Sequence, residues 1–409
     1  MTKPQNPSRR DVLKMLGVTG AVLAVSQAYT TVMGESRVAA ASSITPLLRY
    51  YLNDARNNIV VKNRRRAMLS SHVYPKATFV RDAFYGPLAL NDVNLSAECY
   101  RWFVEAQNAD TGQIRCAVPF DPKNEYLFQI WDDDSSLLFV SWAAWLKRNR
   151  IKVDPTYVEK AWQFVKTHVH DDFHVTPAQP FCYWADTVLF ETPERVAHNQ
   201  GLYALAARAM LEQGWGQVVV ADYERARARY TEYFRPDLGI VAMGKDSWWA
   251  DKLDISVLFP EFMLRWLYKE SALPDEMILS MVDRYVALAS VYKKDQTLAG
   301  LKIICAADGS FLPPERYHVP VLNEPGHYQN GGYWPMYSLI ALALRYKIAP
   351  DKNLKALIET LVRVELAKDR RSKEIIILAP GVEGAIDPNR SGYTWNALIA
   401  IALKWAGVA

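Results

Sequence analysis

The sequence predicts an all-α protein, an (α/α)6 toroid of about twelve helices in alternating inner and outer order. Three observations predict it. Apolar residues recur with a helical period along most of the chain, and few segments read as strands. The segments alternate between one apolar stripe and an apolar surface on all sides. The all-round apolar kind returns roughly every 60 residues, about the length of two helices with their connections.

Taken in order, the helical segments lie near 46–62, 81–91, 94–108, 133–149, 155–169, 195–213, 218–234, 254–271, 275–292, 331–346, 354–369 and 391–407. ADYERARARYTEYF and LKALIETLVRVELAKD each carry one apolar stripe and one charged face, as helices with a side in solvent do. YWPMYSLIALALRY and YTWNALIAIALKWAG are apolar nearly all round, as helices enclosed by others are. The enclosed kind begins near 81, 133, 195, 254, 331 and 391. These are the six inner helices, and the first segment closes the ring by packing outside the last.

The N-terminal stretch reads as an address. Ser8-Arg9-Arg10-Asp11-Val12-Leu13-Lys14 precedes the apolar run MLGVTGAVLAV, and Ala39-Ala40-Ala41 offers a small-residue cleavage site. This resembles a bacterial Tat signal, which implies export of the folded chain by the Tat machinery to the periplasm, the cell surface or the medium. The run is too short for a membrane span, and no other segment reads as one. Residues 1–41 are therefore expected to be a signal peptide, and residues 42–409 a single domain without linkers or low-complexity tracts.

Without residues 1–41 the formal charge falls from +4 to +1, because five basic and two acidic residues leave. A near-neutral body gives no electrostatic case for a nucleic-acid partner. Cys99, Cys116, Cys182 and Cys305 have no paired spacing, and separate buried thiols are expected.

In an alternating ring the loops leading into the inner helices gather on one face. Those loops are FVRDAF (79–84), QIWDDDSS (129–136), YWADTVLFETPERV (183–196), SWWADKLD (247–254), HYQNGGYWP (327–335) and VEGAIDPNRSGYTW (382–395). Each has an ordinary structural use: Asp133, Asp134 and Ser135 suit helix capping, and Gly331-Gly332 suits a turn. Their shared composition at one face points further. Aromatic rings stack on the apolar face of a sugar while carboxylates, amides and helix N-termini meet its hydroxyls.

These stretches resemble the six-hairpin glycosidase superfamily, which includes glucoamylases, trehalases, neutral invertases and the glucosidase portion of glycogen debranching enzymes. TFVRDAFYGPLAL is similar to its Arg-Asp signature, implying that Arg81 and Asp82 grip sugar hydroxyls. YWADTVLFETPERVAHNQGLYALA is similar to the debranching-type segment whose aspartate is the proton donor, which falls on Asp186 behind Trp184. YQNGGYWP resembles the Asn-Gly-Gly-x-Trp-Pro turn: its glycines are expected to let backbone approach the substrate, and Trp334 to wall it. Where trehalases place their base this chain has Ser391; glucoamylase and debranching-type members place theirs further upstream, an arrangement that the resemblance puts on Glu383, with a shorter gap to Trp395, and Glu324 is the competing position. Trp131, Asp133, His327, Asn330 and Trp395 complete the expected sugar contacts.

The resemblance implies a glycoside hydrolase, inverting, acting on a small α-linked gluco-oligosaccharide or related glycoside. Such chemistry pairs a protonated carboxyl with an ionised one. Asp186, between Trp184 and an apolar run, stands where desolvation keeps an acid protonated, and Arg390 stands near Glu383 in sequence to hold it ionised. Two other readings use the same ring: a non-catalytic carbohydrate or envelope-polysaccharide protein, and an epimerase or phosphorylase. An epimerase needs paired histidines at the pocket, for which His198 and His327 are the candidates. The run HVHDDFH (168–174) has metal-ligating residues but no evident partner group and ends an outer helix, so a solvated helix end and no metal are expected. No cofactor fingerprint appears.

Overall fold

The computed structural model describes residues 43–127, 133–386 and 390–409. Residues 1–41, expected to be an export signal, Trp131 and residues 387–389 lie outside the described residues.

Twelve α-helices are present among the described residues. The inner six are α2 (Val80–Leu90), α4 (Asp133–Arg148), α6 (Ala197–Gln213), α8 (Phe259–Tyr268), α10 (Pro335–Ile348) and α12 (Ala397–Ala406). Each packs against the next, and α12 packs back onto α2, so the ring closes. The outer helices are α1 (Leu48–Asn57), α3 (Val93–Glu105), α5 (Pro155–Thr167), α7 (Val220–Thr231), α9 (Asp275–Ala289) and α11 (Lys352–Leu366).

The burial pattern accounts for the two layers. Every residue of α4 from Asp133 to Leu146 is buried, as is every residue of α10 from Pro335 to Leu344. By contrast α7 buries only Tyr223, Ala226 and Tyr230, one stripe at helical spacing. Local signals set the ends. Asp154 caps α5 by accepting the Thr156 N–H at 3.0 Å, with Pro155 at the first helical position. Asp351 caps α11 in the same manner, and α6 stops at Gly214 in the left-handed conformation. Each such cap contributes about 1 kcal/mol.

The first helix is shorter than its apolar pattern. It ends at Asn57, and Ile59–Lys62 turns into a hairpin with Arg65–Met68 because the β-branched run favours an extended chain. Polar ties then fasten it outside α12. The Asn58 amide donates to Gly392 O at 2.7 Å and Thr394 Oγ1 at 2.9 Å, and Tyr51 donates to Glu365 of α11 at 2.5 Å. Among the described residues the strands form only two-stranded ladders, in the connections between helices. All four cysteines are buried and unbonded. No helix among the described residues is long and apolar enough to cross a membrane.

Candidate active site

Four of the loops leading into the inner helices, those before α2, α6, α10 and α12, meet around one cavity of about 280 Å³. Its walls are aromatic: Phe79, Trp184, Trp334, Tyr393 and Trp395 line it with Phe181 at the rim. Trp334 meets Trp184 and Trp395 edge to face, with ring centroids 5.3 and 5.8 Å apart. Against these rings stand Arg81, Asp82, Asp186 and Glu374.

Arg81 sits in the first turn of α2 and grips Asp134, at the start of α4, through Nε at 3.0 Å and Nη2 at 2.7 Å. This paired geometry fixes the guanidinium plane at the cavity wall. Its neighbour Asp82 accepts the Ser70 hydroxyl at 2.5 Å on one oxygen, while the other has no hydrogen-bond partner among the described residues. Burial lifts Asp82 to about 6 in spite of Ser70 and Arg81. A buried acceptor left over at a cavity wall is suited to a ligand hydroxyl.

Asp186 is half-buried, and both its hydrogen bonds fall on Oδ1: from the Gln329 amide at 2.6 Å and from the Tyr328 hydroxyl at 3.3 Å. Burial raises its pKa, opposed by Gln329, the charge of Arg81 and Tyr328. Gln329 is itself fixed: its side-chain oxygen accepts the Thr187 N–H at 3.0 Å, and its backbone N–H donates to Asn323 Oδ1 at 3.1 Å. Glu374 is buried and accepts Arg390 Nη1 at 2.9 Å. Burial pushes it up to about 7, Arg390 and Tyr393 oppose this, and the charge of Asp186 adds to it. The cavity therefore holds three carboxyl groups, Asp82, Asp186 and Glu374, all displaced toward the neutral form by burial, and Glu374 also senses the charge of Asp186.

The glycine turn joins the two. Gly331 has φ of +81°, and a Cβ there would lie 2.6 Å from the Phe311 ring. A Cβ on Gly332 would lie 2.4 Å from Ile375 Cδ1 and 2.5 Å from the Tyr328 carbonyl oxygen. Tyr333 and Ile376 exchange backbone hydrogen bonds at 2.9 Å. The glycines thus make room for Phe311 and Ile375, not for a ligand as the sequence suggested, and they press the holders of Asp186 against the strand that begins beside Glu374.

Of the expected site residues, Arg81, Asp82, Trp184, Asp186, Trp334 and Trp395 line this cavity. Others stand elsewhere. Glu383 accepts the Gly381 N–H at 2.8 Å in an exposed loop, and Glu324 is exposed on the turn before His327. Asn330 is buried and consumed by backbone groups, donating to Leu312 O and Asn323 O at 2.8 Å. His327 does not line the cavity, nor does His198, which is buried in the core with Nδ1 3.0 Å from Ser256 O. Asp133 faces away from the cavity, toward His168 and His174. The HVHDDFH run is consequently not a solvated end: His174 is wholly buried, His168 partly so, and only His170 is exposed. Glu374, Tyr328 and Gln329 were not singled out in the sequence; the signal for Glu374 was a lone carboxylate directly before the apolar run IIIL.

Comparison with solved structures shows that glycosidases share this fold. A glycosidase aligns over 89% of this chain and 97% of its own, with a TM-score of 0.58 and 13% identity. The mannosylglycerate hydrolase of glycoside hydrolase family GH63 from Thermus thermophilus, in complex with Tris and D-glycerate, aligns over 88% of this chain and all of its own, with a TM-score of 0.59 and 11% identity. A glycosidase variant in complex with glucose aligns with a TM-score of 0.58 at 13% identity. No protein-family model matches the sequence, and no curated protein aligns with it significantly.

Proposed function

We propose that the chain is an inverting glycoside hydrolase acting on a small α-linked glucoside or related glycoside, with Asp186 as general acid and Glu374 as general base. The observation that carries this is the placement of Asp186 and Glu374, both raised by burial, beside Asp82 in one aromatic-walled cavity. At about 280 Å³ the cavity is at the small end of ligand pockets, which run from about 300 Å³, and so fits a terminal sugar better than the middle of a polymer. The likeness to glycosidases, one with glucose bound, supports the same reading.

In this mechanism the sugar stacks on Trp334 and Trp395 while Arg81 and Asp82 take its hydroxyls. Asp186 donates its proton to the glycosidic oxygen as the bond to the anomeric carbon breaks. Glu374 removes a proton from water as that water attacks the opposite face, leaving the anomeric centre inverted. Asp186 ends ionised and Glu374 protonated, and exchange with solvent resets both. Glu374 replaces Glu383 in this scheme because Glu383 faces an exposed loop. The epimerase reading lacks its histidine pair, since neither His198 nor His327 lines the cavity.

Incubating the purified chain with a panel of glycosides, with first-formed product anomers followed by NMR, tests the proposal. Release of one sugar with inverted configuration is expected. Binding of sugars without release from any substrate would favour a carbohydrate-binding protein instead. We also propose that residues 1–41 direct Tat export, so that replacing Arg9 and Arg10 with lysine retains the chain in the cytoplasm; unchanged export of that variant would rule it out.

A further inference from the structure

Behind the cavity, on the outer side of α4, three potential metal ligands converge. Asp133 is the first residue of α4 and is buried, whereas its neighbour Asp134 spends its carboxylate on Arg81. The hairpin Val169–His170/Phe173–His174, turned by Asp171 and Asp172 in the left-handed conformation, brings His168 and His174 together from its two ends. Asp133 Oδ1 lies 2.9 Å from His168 Nδ1, and Oδ2 lies 3.1 Å from His174 Nε2. The ligand atoms of all three residues fall within 4.8 Å of one another.

The second contact is not an ordinary aspartate–histidine bond. His174 is wholly buried, yet among the described residues neither of its ring nitrogens makes a hydrogen bond, and Asp133 Oδ2 has none either. The imidazole touches the carboxylate without aligning an N–H on it. Buried polar atoms are otherwise nearly always satisfied, so an orphaned imidazole 3.1 Å from an orphaned carboxylate oxygen calls for a third body that both can meet. The backbone around the cluster is already held: the His174 N–H donates to Gln200 Oε1 at 2.7 Å, and the Val175 N–H to His168 O at 2.7 Å.

We propose that Asp133, His168 and His174 bind a divalent transition-metal ion, with zinc the best match to two imidazoles and a carboxylate. Ligand atoms on a tetrahedral zinc stand about 3.3 Å apart, given bonds of about 2.0–2.1 Å, so each imidazole is already at that spacing from one carboxylate oxygen, and the whole set, within 4.8 Å, closes onto the ion by small side-chain shifts. Magnesium and calcium prefer all-oxygen sets and are disfavoured. Partly exposed His168 leaves the fourth position to water. The ion pins the start of α4, and therefore Asp134, which in turn sets the plane of Arg81 in the cavity. The site is independent of the hydrolase proposal, since it follows from residues outside the cavity.

The test is cobalt(II) titration of the tag-free full chain after chelator treatment, read by visible absorption and calorimetry, followed by displacement with zinc. One ion per chain is expected, bound equally by wild type and by His170→Ala, whose side chain is exposed on the same hairpin. His168→Ala should weaken binding at least about tenfold, the lower limit seen even for outer partners of metal ligands. His174→Ala should do the same provided its circular dichroism matches wild type; if it does not fold, the partly exposed His168 decides the matter. No uptake by wild type, or uptake that His168→Ala leaves intact, would overturn the site.

Discussion

The Gln329 amide donates to Asp186 Oδ1 at 2.6 Å, and the same side chain is locked from behind by Thr187. This pair fixes which oxygen of the carboxyl is engaged and leaves Oδ2 as the one able to carry a transferable proton. Gln329→Ala is expected to lower kcat about 10- to 100-fold, because a misplaced catalytic group costs that order of rate. It should also raise the pKa of Asp186 further, since Gln329 favours its ionised form. A pH profile of kcat showing no shift of the alkaline limb to higher pH would contradict the assignment.

The two carboxyl groups set a bell-shaped pH dependence. The base must be ionised and Glu374 is held up to about 7, so kcat/KM should rise with pH through about 7. Asp186 must be protonated, and burial raises it, so loss of its proton sets the opposite limb. The charge of Asp186 raises Glu374, so the two limbs are not independent. Arg390 lowers Glu374, and Arg390→Gln should therefore move the acidic limb upward and depress activity most below neutrality. An acidic limb unmoved in that variant would place the base elsewhere.

Ring closure has its own pH dependence. Glu365 is wholly buried beneath Tyr51 and the Lys373 N–H, and burial raises it from 4.5 to about 8. Between about 4.5 and 8 the folded chain keeps a proton that the unfolded chain releases, so this group's contribution to stability falls as pH rises across that window. The slope is at most about 1.4 kcal/mol per pH unit. Glu365→Gln keeps the shape without the titration, and its Tm should decline less than that of wild type from about pH 5 to about pH 8. Parallel Tm curves for the two proteins would contradict this.

The sequence carried the architecture because helical burial is written in periodicity: the contrast between the bare stripe of ADYERARARYTEYF and the enclosed run of YTWNALIAIALKWAG is a contrast between one wet side and none. It carried the face of the site as well, since alternation alone puts the inner-helix entrances together. It did not carry which side chains turn inward. Asn330 and Trp334 stand four residues apart on one turn, yet Asn330 spends its amide on backbone while Trp334 walls the cavity. Glu383 and Glu374 are nine residues apart, and only the folding of the strand beside Ile375 against the Gly332 turn brings Glu374 to the cavity. The aspartate that meets the histidines of HVHDDFH lies more than thirty positions earlier in the chain, at the start of an inner helix, so no local spacing announces it.

The central claim is that Asp186 works with Glu374, and the most direct measurement is turnover of Glu374→Gln beside Glu383→Gln on the glycoside that the wild type cleaves. The account predicts that Glu374→Gln loses at least about 100-fold in kcat, the scale of general acid–base catalysis, while Glu383→Gln stays close to wild type. An active Glu374→Gln beside an inactive Glu383→Gln would contradict it.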